Sequence, residues 1–187
     1  MDKILIVVDM QNDFIDGIFK NPDAQAIIPK VAQKIENWDG NHIICTQDSH
    51  MPPFYMNFVE GKVFPLHCEL QTAGWELNPA INIALGAYIR KDFKHNYIEK
   101  LEKDTFISFE IENYLLREVE PQNPFEIHII GLCNDICIIS NALFLRSVFP
   151  LANIIVDAQC CAGTTPEQHQ AALNIMKACC IEVINEN

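Results

Sequence analysis

Apolar residues follow two rhythms along this chain. Short aliphatic runs alternate with longer stretches in which apolar residues recur every three or four positions. Ile4–Val8 is the first run and ends at Asp9. Being apolar at every position, it reads as a buried central strand. A polar turn, Asp9–Gly17, follows. Ala24, Ile27, Ile28, Val31, Ile35 and Trp38 fall on one helical face, which predicts an amphipathic helix over Pro22–Trp38, ended by Asp39–Gly40. Ile43–Thr46 predicts a second strand, with Asp48 directly after it. Ala87–Arg90 reads as a short strand, Tyr97–Leu101 as a helical turn, and Phe109–Val119 as a helix stopped by Pro121. Ile127–Ile130 is another strand-like run, closed by Gly131. After a turn, Cys137 opens a helix-like run to Phe149, which Pro150 breaks. Ile154–Val156 reads as a strand ending in Asp157. Thr165, Pro166 and Glu167 supply an N-cap, a first-turn proline and an acid, and start a helix to about Cys180. Ile181–Ile184 is the last strand.

Strands and helices alternate throughout. That predicts an α/β fold with three layers: a Rossmann-like, mostly parallel sheet with helices on both faces. No linker or repeat divides residues 1–187, so one domain is expected. Ligands on such sheets bind beyond the carboxyl ends of the strands. Asp9, Asp48, the Cys133–Cys137 turn and Asp157 all follow strand ends and are expected on one rim. Asp48–Ala80 has little periodicity and holds four prolines, aromatics and histidines. A loop of that length in a compact domain usually serves a function.

Composition narrows the class. Nearly half of the 187 residues are hydrophobic and a fifth are charged, so the chain is globular. The net charge of −12, without a basic cluster, argues against a nucleic-acid surface. No apolar run is long enough to span a membrane. The eight cysteines lie inside apolar segments or as adjacent pairs. Without a signal peptide they read as reduced thiols, which predicts a cytoplasmic protein.

The polar residues at strand ends carry the candidate chemistry. Cys137 lies in the first turn of its predicted helix, where unpaired N–H groups favour a thiolate, although a cysteine there can equally be a small core residue. Asp9 is either a turn cap or a partly desolvated general base. Asp48, His50 and His67 are either loop residues or three ligands of a divalent metal with open positions. Lys103 is either a solvated charge or the stabiliser of a nearby thiolate. Asp135 reads as a first-turn acid and Asp157 as the anchor of a strand–helix turn; Glu60 and Glu69 lie in the ligand loop without an assigned role. The common nucleotide loops and the serine nucleophile elbow are absent.

Several of these pieces match one family in order. DMQNDF (Asp9–Phe14), QDSH (Gln47–His50), FPLHC (Phe64–Cys68), KDTFISF (Lys103–Phe109), GLCNDICI (Gly131–Ile138) and VDAQCC (Val156–Cys161) span most of the chain. The sequence resembles the isochorismatase-like cysteine hydrolases, and within them the nicotinamidase-related amidases. The resemblance implies the isochorismatase-like hydrolase fold and a catalytic triad of Asp9, Lys103 and Cys137. It implies a cis peptide at Leu132–Cys133, aiming the N–H groups of Cys133 and Cys137 at an oxyanion. It also implies Asp48, His50 and His67 as metal ligands, with zinc first and iron or manganese as alternatives. Phe14 and Phe64 would stack on the substrate ring. Where some relatives carry an extra metal-proximal histidine, this chain offers Met56.

The implied function is hydrolysis of a small carboxamide, foremost nicotinamide to nicotinate and ammonia, through a Cys137 thioester. Other small amides or carbamates are the alternative substrates. A non-catalytic binding protein and a thiol-redox protein on the same fold are the competing classes. Alkylation at one fast thiol would mark the enzyme, and at several the redox protein. The partners implied are a small-molecule amide and, as relatives often assemble, a second copy of the chain; no nucleic acid and no membrane are expected.

Overall fold

The computed structural model describes residues 2–186. Six strands form one sheet: β1 (Lys3–Val8), β2 (His42–Asp48), β3 (Tyr97–Lys103), β4 (Glu126–Leu132), β5 (Asn153–Ala162) and β6 (Glu182–Ile184). Their spatial order is β3-β2-β1-β4-β5-β6, and every neighbouring pair is parallel. Seven α-helices connect them: α1 (Asn12–Ile15), α2 (Pro22–Glu36), α3 (Pro52–Tyr55), α4 (Pro79–Lys91), α5 (Phe109–Glu118), α6 (Ile139–Val148) and α7 (Pro166–Ala178). A 3₁₀ turn at Glu60–Lys62 and a π-helical turn at Asn134–Ile138 complete the described elements.

β1 shows why both sheet faces are covered. Successive strand side chains point to opposite faces. Ile4, Ile6 and Val8 enter a core with Ile111, Leu145 and Leu173 from α5, α6 and α7. Leu5 and Val7 enter a second core with Val31, Ile35 and Ile81 from α2 and α4. None of these residues is more than 1% exposed. Among the described residues no helix is long and apolar enough to cross a membrane.

The strand order places a reversal between β1 and β4, whose outgoing connections run to opposite sides. The crevice beyond their carboxyl ends is the expected ligand site of such a sheet. The β1–β4 seam is tight there. Gly131 pairs with Val8 where the β4–β5 register shifts, and has φ +122°. A Cβ built on it would lie 2.1 Å from the Val8 carbonyl oxygen.

Several boundaries differ from the sequence reading. Ala87–Arg90 is the last part of α4, not a strand. Ile81, Ala84, Leu85 and Tyr88 are its buried face, at helical spacing that a four-residue window conceals. Tyr97–Leu101 belongs to β3, not to a helical turn. It is an edge strand whose charges mask the strand pattern. β5 runs past Asp157 to Ala162, so Asp157 lies within the strand. It accepts from Lys34 at 3.1 Å and from Asn185 at 2.9 Å, away from the rim.

Gly131→Ala is expected to lower stability by about 2–3 kcal/mol, from the left-handed φ and the clash with Val8. Thermal unfolding would show it as a fall of several degrees. An unchanged midpoint would contradict the described seam.

Candidate active site

Asp9 ends β1 with φ +49° and is wholly buried. Its N–H donates to the Thr46 carbonyl at 3.2 Å, and Thr46 Oγ1 donates to Asp9 Oδ1 at 2.7 Å. Asp48 ends the neighbouring strand β2. Gln11, also wholly buried, holds it from both sides of its peptide unit. The Asp48 N–H donates to Gln11 Oε1 at 2.7 Å, and Gln11 Nε2 donates to the Asp48 carbonyl at 2.8 Å. Thus the DMQ segment after β1 locks the end of β2.

Lys103 ends β3, in register with Asp48. Its side chain is 1% exposed, with Nζ 2.8 Å from Asp9 Oδ2, 3.3 Å from Asp48 Oδ1 and 3.7 Å from Cys137 Sγ. One ammonium therefore touches two carboxylates and the thiol. Burial pulls the lysine toward the neutral form, but Asp9, Cys137 and Asp48 hold its pKa well above the ordinary value. Burial pushes the Asp9 pKa up against the pull of Lys103. Burial also pushes up the Asp48 carboxyl, but Lys103, His50 and His67 outweigh it and hold the pKa low.

Cys137 lies in the π-helical turn Asn134–Ile138 that follows β4. The Cys133 carbonyl closes this turn, accepting from the N–H groups of Ile136 at 3.1 Å and Ile138 at 3.0 Å. The i→i+5 bond makes room for an extra residue in the turn before α6 begins. The cysteine is 5% exposed. Burial raises its pKa well above that of a free thiol, with Lys103 lowering and Asp9 raising it. Desolvation and two nearby carboxylates thus outweigh the pull of the lysine and the helix start toward a thiolate. These influences favour the thiol form beside the desolvated Asp9 carboxylate.

The peptides of the described residues are all trans, including Leu132–Cys133. This corrects the cis bond implied by the resemblance. A non-proline cis peptide costs about 3–4 kcal/mol, and the turn closes through the Cys133 carbonyl with an extended residue at φ −84° and ψ 136°.

Beside Asp9, Lys103 and Cys137, Asp48 Oδ2 lies 3.1 Å from His50 Nε2 and 3.2 Å from His67 Nε2. His67 Nδ1 faces the Pro65 carbonyl at 2.9 Å. A carbonyl only accepts, so Nδ1 carries a hydrogen, and this bond fixes the ring with Nε2 turned toward Asp48 Oδ2. Glu60 Oε1 stands 3.9 Å from His67 Nε2 and 4.0 Å from His50 Nε2. The four donor atoms lie within 4.8 Å of one another. Two imidazoles and two carboxylates directed at one point suit a divalent cation. The sequence reading left Glu60 unassigned. Met56, which it placed where a fourth ligand would fall, is 59% exposed and outside this group. A glutamate in a 3₁₀ turn has no spacing signal, so only the folded loop reveals it.

A cavity of about 290 Å³ opens over Cys137, with Asp48, Glu60 and His67 also in its wall. Phe14 and Phe64 line it, together with Phe19 and Phe106. Phe19 stacks on Phe14 at 5.7 Å and meets the His67 ring edgewise at 4.9 Å. Asp9, Asp48, Lys103, Cys133 and Cys137 thus share one rim. Asp135 accepts from the Thr164 N–H at 2.8 Å and fixes the turn entering α7.

The Isochorismatase domain model matches residues 3–187. The nicotinamidase of Acinetobacter baylyi is 29% identical over 176 residues, covering 82% of this chain and 79% of that protein. A solved pyrazinamidase/nicotinamidase of Streptococcus mutans superposes with a TM-score of 0.77 at 26% identity, covering 98% of this chain and 100% of its own. The pyrazinamidase of Pyrococcus horikoshii, solved in complex with zinc, has the same fold, with a TM-score of 0.75 at 24% identity over 99% of each chain.

Thiol exposure changes how alkylation reads. Cys179 and Cys180 are exposed while Cys137 is buried, so a count of fast thiols does not separate an enzyme from a redox protein. Brief iodoacetamide treatment of native protein is expected to label Cys179 and Cys180 before Cys137, as peptide mapping would show. Labelling of Cys137 ahead of that pair would contradict a buried, protonated thiol.

Proposed function

From the premise that the chain belongs to the isochorismatase family, we propose that it is a cysteine amidase converting a small aromatic carboxamide, foremost nicotinamide, to the acid and ammonia. The observation that carries this reading is the single buried ammonium of Lys103 in contact with Asp9, Asp48 and the Cys137 sulfur. A structural cysteine has no need of a desolvated base and a paired cation beside it. The nicotinamidase relatives point to the same substrate class.

In the proposed reaction Asp9 takes the Cys137 proton as the sulfur attacks the amide carbonyl. Its raised pKa suits it to accept that proton. Lys103 stays charged and stabilises the developing thiolate. The N–H of Cys137 receives the oxyanion. Asp9 then protonates departing ammonia, and afterwards takes a proton from the water that hydrolyses the thioester. Phe14, Phe19, Phe64 and Phe106 hold the ring and exclude bulk water.

Asp48, His50, His67 and Glu60 would hold a divalent ion, with zinc first by its fit to nitrogen and oxygen donors. When bound, that ion supplies a Lewis-acid contact for a ring nitrogen. The free cysteines fit a reducing compartment, and we place the enzyme in the cytoplasm.

Screening ammonia release over nicotinamide, pyrazinamide and small amides or carbamates identifies the substrate. Cys137→Ala is expected to lower the rate by about 10³-fold or more while circular dichroism stays unchanged. Activity surviving that change would end the nucleophile assignment. Protein purified without chelator is expected to carry about one divalent ion per chain by elemental analysis, with less in His50→Ala and Glu60→Ala. Metal-free protein of full activity would remove the ion from the reaction.

A further inference from the structure

Asn141 is wholly buried in α6, one helical turn beyond Cys137. The proposed reaction does not use it. Its three side-chain hydrogen bonds all go to main chain. Nδ2 donates to the Cys137 carbonyl at 2.8 Å and to the Phe106 carbonyl at 2.9 Å, and Oδ1 accepts from the Ser108 N–H at 3.1 Å. Both amide hydrogens and the amide oxygen are therefore engaged.

The two ends of this link belong to different parts of the site. One is the nucleophile's own residue. The other brackets Ile107 in the segment that leaves Lys103 at the end of β3 and carries Phe106 into the cavity wall. Phe106 is 36% exposed, so its side chain is not locked by a surrounding core. Its main chain is held through Asn141 instead. A buried, fully satisfied amide has one low-energy geometry, because any movement leaves a desolvated polar group unpaired.

We propose that Asn141 is a positioning residue that sets the Cys137 sulfur and the Phe106 wall at one fixed spacing. It touches neither substrate nor reacting atoms. It couples the place where the ring is held to the place where the carbonyl is attacked. This rests on the reading of Cys137 as nucleophile. An error on the order of 1 Å in that spacing is enough to cost about 100-fold in rate.

The two functions of Asn141 can be separated. A threonine in a helix can donate its hydroxyl to the carbonyl four residues earlier, which here is that of Cys137. Asn141→Thr therefore keeps the bond to the nucleophile and loses both bonds to the Phe106–Ser108 segment. Asn141→Val has nearly the same shape and loses all three. With the best carboxamide substrate, Asn141→Thr is expected to raise KM about tenfold and keep kcat within about threefold. Asn141→Val is expected to raise KM likewise and also lower kcat by about 10- to 100-fold. The rate of iodoacetamide labelling at Cys137, read by peptide mapping, should stay near wild type in Asn141→Thr and change in Asn141→Val.

Wild-type kcat and KM in both variants would overturn the proposal. So would equal losses in both that follow only the folded fraction by circular dichroism. If Asn141→Val does not fold, Asn141→Asp serves, since it keeps the acceptor for Ser108 and removes both donors; wild-type kinetics there would also overturn it. If wild type releases ammonia from no carboxamide tested, the amidase reading fails, and the labelling comparison alone decides the role of Asn141.

Discussion

A single buried ammonium organises this site. Lys103 lies at the end of β3 with a side chain 1% exposed, between Asp9 from β1 and Asp48 from β2. A lone charge buried so deeply would shed its proton. Two carboxylates keep it charged, and removing one partner of such a pair typically costs about 3–5 kcal/mol. The parallel register of three neighbouring strands brings their polar ends together, so fold and charge arrangement depend on each other. Two carboxylates against one ammonium leave one excess negative charge, and Glu60 adds another beside His50 and His67. The surplus lies where four donor atoms converge, and a divalent cation there would neutralise it.

The same charge arrangement favours the thiol form of Cys137. The helix-start argument considers only the turn's own N–H groups. It omits the cost of desolvation and the fields of Asp9 and Asp48, which here prevail. Burial thus favours a proton on the Cys137 sulfur beside the desolvated carboxylate of Asp9. In the proposed reaction that arrangement ties proton transfer to arrival of the carbonyl.

The sequence was most legible where strands end. Ile4–Val8 followed by Asp9, the second strand followed by Asp48, and the GLCNDIC turn all reported position and residue type together, and these residues do share one rim. Asp157 follows the same rule on paper and fails it, because Cys160–Ala162 continue the strand beyond it and the apolar run stops too early to show that. The edge strand β3 was hidden by its own charges, although Lys103 at its end was visible through its motif. Glu60, Phe19 and Asn141 were out of reach for another reason. Each acts through a contact made across the fold, in a 3₁₀ turn, a polar loop or a helix interior, and none of those places has a sequence period that singles out one residue.

The central claim is that Cys137 carries the acyl group between two steps. Hydroxylamine partitioning tests it most directly. With the active carboxamide and added hydroxylamine, an acyl-thioester intermediate divides between acid and hydroxamate, while ammonia release continues and Cys137→Ala forms neither product. Full ammonia release that yields acid alone at every hydroxylamine concentration, or hydroxamate formation that survives in Cys137→Ala, would contradict the account.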